Sequence, residues 1–311
     1  MATINAAELA SWTPIAIHLD DPTPSIDWAD LGDLRFAEPF FDDTIERWTE
    51  ATPTPRTVNT GLDALVVLDQ APSLDPSGLI FHMSRCGSTL VTRLLQQLPH
   101  CVVVSEAASV NAVLQADATI IDEETQARLL RLLIRALGRR RFGDERHYVV
   151  KLTSWNVGKL DLFRRAFPST PLVWLQRDPA EVMASLLARP PEWRVDVPPG
   201  IAATPEPPEF YARALARLLQ AAYGAPAGAM STVDYSDLPD AVWTTIAPMF
   251  GLAPSADEIA LMAAQAHYYS KDAGSHPYER RPAAAPGVSN PELEPLYRAL
   301  SSRAVSRPGL R

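Results

Sequence analysis

The sequence predicts an α/β protein, a parallel β-sheet flanked by helices and preceded by an irregular N-terminal extension. Two observations carry this. From residue 79 onward, short apolar runs of β-type composition alternate with longer stretches of helical period, the rhythm of strand–helix–strand units. The apolar runs also lack a clean in–out alternation, which is how strands covered on both faces read. Parallel neighbours need crossover connections, and the intervening helical stretches supply them.

In chain order, residues 1–75 have no clear period. Trp12, Trp28, Phe36, Phe40, Phe41 and Trp48 are scattered there among Asp and Pro, and such aromatics can anchor an irregular segment onto a body. The chain therefore divides into an extension, 1–75, packing on a main domain, 76–311. Within the extension, residues 42–48 (DDTIERW) read as one or two helical turns, and residues 64–69 (ALVVLD) as a strand. The main-domain strands are expected at 79–83, 101–105, 148–152, 171–176 and 229–235. Helices are expected at 90–98, at 123–137 with Leu129, Leu130, Leu133, Ile134 and Leu137 on one side, and at 157–167, stopped by Pro168. Residues 189–210 are too rich in proline for a continuous helix or a central strand. They form either a lid over a site or a disordered surface insertion. No internal repeat is present.

A chain of 311 residues that is 47 % hydrophobic and 21 % charged can bury a full core. Its 37 acidic and 28 basic residues give a formal net charge of -9. No overall basic field gathers nucleic acid or an anionic membrane, so any bound anion has to be caught locally. No run approaches the roughly 18 apolar residues that span a bilayer, and the N-terminal stretch lacks a basic segment followed by an apolar one. A cytoplasmic protein is expected. Two cysteines, Cys86 and Cys101, are too few for a disulfide framework and lack metal-binding spacing, so neither a disulfide nor a metal is expected.

The most informative stretch is Ser84-Arg85-Cys86-Gly87-Ser88-Thr89, which interrupts an apolar run and leads into a helix. Ligands of parallel sheets sit where strand ends feed helices. A helix N-terminus offers unpaired N–H groups to an anion. Gly87 permits a tight turn, Ser88 and Thr89 add hydroxyls, and Arg85 adds a permanent forked charge. A hydroxyl that merely caps the helix is the simpler alternative. The phosphate loop of ATP- and GTP-binding enzymes needs a second glycine and a lysine, and both are missing here.

SRCGSTL resembles the first signature of the sulfotransferases that use 3′-phosphoadenosine 5′-phosphosulfate (PAPS), with Cys86 where serine is more common. VWLQRDPAEVMASLL is similar to their second signature, in which Arg177 and Ser185 would take the 3′-phosphate of PAPS. Pro179 suits the first helical turn, and Ser185 lies about two turns further along. The tyrosylprotein-type and related bacterial branch is most similar, for Glu106 closes HCVVVSE, Lys151 stands in YVVKLTSW, and STVDYSDL offers Tyr235. The resemblance covers roughly residues 76–250. It implies a P-loop-like sulfotransferase fold and sulfuryl transfer from PAPS to a hydroxyl or amine of a small-molecule or peptide acceptor, without a metal. It implies Glu106 as general base, Arg85 and Lys151 as charge stabilisers, and Arg85, Cys86, Gly87, Ser88, Thr89, Arg177, Ser185 and Tyr235 around the cofactor.

Alternatives stay open at this level. Glu106 would also suit the start of a helix, Lys151 a solvated strand end, and His82 or His100 the role of base. Trp155, Tyr235 and the loop around Trp193 are candidate apolar walls, and Lys271 and Arg280 candidate contacts of the 3′-phosphate. A nucleotide-dependent kinase and a non-catalytic nucleotide- or partner-binding module are the competing functions.

Overall fold

A computed structural model describes residues 8–20, 22–117, 119, 121–190, 207–268 and 292–303. The extension is more regular than its sequence pattern suggests. Strands β1 (Thr13–His18), β2 (Ser25–Ala29) and β3 (Thr57–Gly61) form an antiparallel sheet in the order β1-β2-β3. In β2, Ile26 and Trp28 are buried. Asp27, between them, accepts from Asn59 at 2.7 Å and lies 2.7 Å from the His18 ring nitrogen. That alternation is a strand signal of period two, hidden in the sequence by its shortness and by the polar residues around it.

Helix α1 (Phe41–Ala51) joins β2 to β3 and is longer than the turns predicted over 42–48. Asp42 and Asp43 stand in its first turn, where carboxylates suit the helix dipole. Residues 64–69 are not a strand. They belong to helix α2 (Asp63–Leu68), which buries Leu65 and Leu68 while Val66 and Val67 stay exposed. Positions three apart share a helix face, whereas a strand would have sorted alternate residues, and a run this short does not distinguish the two.

The main domain is a five-stranded parallel sheet. Strand β4 (Gly78–His82) leads into α3 (Ser88–Leu95), and β5 (Cys101–Ser105) into α4 (Ala108–Gln115) and α5 (Glu123–Leu137). Next come β6 (His147–Lys151), a 3-10 turn over Ser154–Lys159, α6 (Leu160–Ala166), β7 (Leu172–Gln176) and α7 (Pro179–Ala188). Helix α8 (Pro207–Gly224) opens on two prolines, which the first turn tolerates, so the end of the proline-rich stretch is helical. Strand β8 (Ser231–Asp234) follows, then the single turn α9 (Ala247–Met249), α10 (Ala256–Gln265) and α11 (Leu293–Ser301).

The strand order is β5-β6-β4-β7-β8, and every neighbouring pair is parallel. All of β4 and β7 is buried, which explains their unbroken apolar runs. From β4 the chain moves toward β5 on one side, and from β6 it crosses back over β4 to β7. The carboxyl end of β4 is therefore the switch point where sheets of this kind bind ligands. The extension packs on helices of the main domain, with β1 against α4 and α5.

Candidate active site at the carboxyl end of the sheet

The loop after β4 turns under strain. Arg85 has φ 59°, a left-handed conformation that costs a non-glycine residue about 1–3 kcal/mol. Gly87 follows at φ 82° and forms the N-cap of α3. A Cβ there would lie 2.8 Å from Leu238 Cδ1 and 2.9 Å from Tyr235 Cδ2, so glycine is required both for the turn and for the close approach of Tyr235. As N-cap it has no side chain to satisfy the first amides of α3, of which Ser88's meets the Cys86 thiol, and a helix N-terminus of this kind suits an anion. Ser88 and Thr89 are buried beneath the loop. Cys86 is buried too, and burial pushes its thiol up to about 12 against the pull of the Ser88 amide, Lys151 and Arg177. It packs as a small neutral residue and serves the loop through its backbone.

Arg177 stands at the end of β7 beside this loop. One guanidinium nitrogen donates to Arg85 O at 3.4 Å, and the guanidinium carbon lies 4.2 Å from the centre of the Tyr235 ring. Its Nε is paired with Glu181 at 2.7 Å, a partner the sequence reading missed. Asp178 caps α7 by accepting from the amides of Ala180 and Glu181. Ser185, half-buried, lies one further turn along the line Arg177–Glu181. Arg85 donates to Arg189 O at 2.7 Å, bringing the end of α7 over the loop.

The second half of the site lies between β5 and β6. Lys151, the last residue of β6, is register partner of Ser105 and of Ile80. It is fully buried, not a solvated strand end. Its Nζ donates to Glu106 Oε1 at 2.7 Å and reaches Thr89 Oγ1 at 3.5 Å, so one ammonium spans the space from the carboxylate to the loop. Glu106 does not begin α4. It sits in the left-handed region at φ 55°, its N–H held by Lys151 O at 2.8 Å, and this strain turns the side chain over the sheet. The Glu106 side chain keeps 22 % exposure. Burial of its carboxyl pushes its pKa up, but the charge of Lys151 and the contact with His82 outweigh that and bring it down to about 2.

His82 is buried, with Nδ1 3.2 Å from Met83 O and Nε2 3.5 Å from Glu106 Oε1. It supports the carboxylate from below. His100 precedes β5 at the opposite, amino end of the sheet, next to His147 and Glu258, which removes it as a candidate base. Asn111 of α4 donates to Thr153 Oγ1 at 2.9 Å and accepts from Asn156 at 2.9 Å, tying α4 to the segment after Lys151. Trp155 lies partly buried in that segment. Trp193, Lys271 and Arg280 lie outside the described residues. Phe40, whose ring centre is 4.5 Å from Lys151 Nζ, was not expected in the site. Among the described residues no group of His, Cys, Asp or Glu is arranged to hold a metal ion, and no helix is long and apolar enough to cross a membrane.

The profile of the sulfotransferase family matches residues 79–251, more than half of the chain, and the chain belongs to that family of transferases. No curated protein matches it. Among solved structures it is similar to sulfotransferase STF9 from Mycobacterium avium, at 15 % identity and TM-score 0.49, covering 78 % of this chain and 80 % of that one. A sulfotransferase domain from the curacin biosynthetic pathway is 14 % identical, with TM-score 0.43 and coverage of 74 % and 98 %. A sulfotransferase from Alicyclobacillus acidocaldarius is 15 % identical, with TM-score 0.40 and coverage of 74 % and 95 %.

Proposed function

We propose that the chain is a cytoplasmic enzyme that transfers a sulfuryl group from PAPS to a hydroxyl or amine of a small-molecule or peptide acceptor, with Glu106 taking the acceptor's proton. The observation that carries this reading is the single buried ammonium of Lys151 between Glu106 and Thr89. It joins a carboxylate base to a strained loop whose amides and arginine suit an anion. When bound, PAPS supplies an activated sulfuryl group on a phosphate leaving group, and a second phosphate on its ribose.

The residues fit such a ligand. Arg85, the amides from Cys86 onward, Gly87 and the hydroxyls of Ser88 and Thr89 would hold the phosphosulfate end. Arg177 and Ser185 would hold the 3′-phosphate, with Tyr235 packed under Arg177. In the ion pair Glu106 is ionised, the correct state for a base, but about 2 makes it a weak one. Lys151, drawn toward an anion beside Thr89, would release Glu106 and raise its proton affinity. Base strength is thereby tied to occupancy of the loop. Lys151 and Arg85 would be placed to stabilise charge on the phosphate oxygen of such a donor.

Calorimetric titration with 3′-phosphoadenosine 5′-phosphate tests the reading. Saturable binding is expected, and no binding at millimolar ligand sinks it. Glu106→Gln is expected to abolish transfer while retaining nucleotide binding; unchanged sulfation would remove Glu106 from the mechanism.

A further inference from the structure

The family profile ends at residue 251, yet a later helix braces two of the strands that end at the site. Helix α11 packs along α8 and against β8 and α7. Leu293, Tyr297, Leu300 and Ser301 fall on one helical stripe, and the two leucines are buried. Just past the helix, Arg303 donates to Tyr223 O at 2.9 Å and to Ala225 O at 3.3 Å, closing the end of α8. The leucines explain why α11 docks. They do not explain the polar contacts that the same stripe makes with the carboxyl ends of β7 and β8.

Register sets those two ends level, for Gln176, last in β7, pairs with Asp234, last in β8. Gln176 is fully buried: Trp174 donates to its side-chain oxygen at 3.2 Å, and its side-chain nitrogen donates to Ser301 Oγ at 2.8 Å and reaches Tyr297 O at 3.5 Å. Asp234 divides its carboxylate. Oδ1 accepts from the Ser236 amide at 2.9 Å and hydroxyl at 2.8 Å, shaping the 3-10 turn Tyr235–Asp237, while Oδ2 accepts from the Tyr297 hydroxyl at 2.7 Å. Burial, the Asp234 carboxylate and the charge of Asp178 push the Tyr297 phenol up, so it stays a donor. The residues that follow Gln176 and Asp234 are Arg177 and Tyr235, stacked with the guanidinium carbon 4.2 Å from the ring centre. One helix thus holds both members of that stack, each through the residue in front of it.

We infer that Tyr297 is a positioning residue for the 3′-phosphate half of the site: its hydroxyl fixes Asp234, Asp234 fixes the turn that carries Tyr235, and the Tyr235 ring holds the Arg177 guanidinium. This rests on the proposed function, since the phosphate is that of PAPS. Glu181 restrains Arg177 at Nε, and the ring covers its face. A guanidinium restrained on both counts loses little further freedom when an anion arrives, so less binding energy goes into ordering it. Without the phenol, Asp234 Oδ2 loses a charge-assisted hydrogen bond, and the turn under Arg177 loses its tie to α11.

The test is calorimetric titration of the full chain with 3′-phosphoadenosine 5′-phosphate. Tyr297→Phe is expected to weaken binding at least about threefold. In an Arg177→Ala background the same change is expected to weaken it less than about twofold, because the group it positions is gone. A role confined to stability would give equal factors in the two backgrounds, and that result overturns the inference. Arg298→Ala, on the exposed side of α11 and paired with Glu294, is the control for the helix as a whole. Its affinity is expected within about twofold of the parent, and a loss equal to that of Tyr297→Phe overturns the inference too. Should Tyr297→Phe fold poorly, Asp234→Asn reads the same link from its other side, with the same two factors expected. A parent chain that does not bind the nucleotide sinks the sulfotransfer reading and this inference with it. A parent that binds, beside a Tyr297→Phe chain that binds equally well, sinks this inference alone.

Discussion

The two ends of the parallel sheet carry charges of very different kinds. At the amino end, Arg135 of α5 bridges Asp69, at 2.5 Å, and Asp75, whose side chain is 60 % exposed. A cavity of about 460 Å³ opens there, lined by Asp75, Arg131, Phe167 and Phe250 among others, with no strained charged residue in it. At the carboxyl end, Lys151 is wholly buried, and two charged residues, Arg85 and Glu106, are held in left-handed backbone. Buried charge and strained backbone cost folding energy, and their coincidence at the switch point is the contrast on which the proposed site rests.

Substitutions at both ends test that contrast. Glu106→Gln strands the buried ammonium of Lys151 and is expected to cost about 3–5 kcal/mol in denaturant unfolding. Asp75→Asn, at the exposed bridge, should cost less than about 1 kcal/mol. Similar losses at the two positions would erase the distinction. Glycines give a second pair. Gly87→Ala meets left-handed strain of about 1–2 kcal/mol plus overpacking of about 1–3 kcal/mol against Tyr235 and Leu238. Gly251→Ala, at φ 72° beside the amino-end cavity with nothing within 4 Å, meets the strain alone. Equal melting shifts would show that the packing against Tyr235 is slack.

Arg177→Ala is expected to weaken 3′-phosphoadenosine 5′-phosphate binding by about 1.5–3 kcal/mol, roughly ten- to 150-fold, the value of a charge-assisted pair. Unchanged affinity by calorimetry would mean that the Glu181 pairing is the whole role of Arg177. The same pair can be probed by pH. The carboxyl of Glu106 titrates lower in the folded chain, about 2, than its ordinary 4.5, so its pairing stabilises the fold above pH 4.5. That contribution is lost as pH falls from 4.5 toward 2. Acid unfolding of Glu106→Gln should lack this component, and curves of the same shape would show that the pair contributes little.

Much of this was legible in the chain. The helix at Glu123–Leu137 matches its expected bounds because Asp122 caps it and its apolar residues keep one period. The main strands lie within a residue or two of expectation, since runs buried on both faces leave an unambiguous apolar record. Strand β8 is shorter than its run because the chain bends at Tyr235. The turn at 84–89 could be read because it breaks an apolar run ahead of a helix, though its residues alone left a helix cap and an anion site both open. The extension was less legible. Its strands are short and their alternation is broken up by polar residues, and ALVVLD has the composition of a strand but the burial of a helix.

Residue order thus carried the parallel sheet, the loop and the residue types an anion site needs, because these follow from local period, turn chemistry and side-chain charge. It could not reveal that Lys151 faces Glu106 and Thr89 together, that His82 lies under the carboxylate while His100 lies at the other end, or that Phe40 covers the lysine. Those contacts join residues far apart in the chain. They exist because parallel pairing aligns the ends of β5 and β6, and because Arg141, Arg93 and Gln96, groups with no local signature, hold the carbonyls of Leu34, Ala37 and Glu38 just ahead of Phe40.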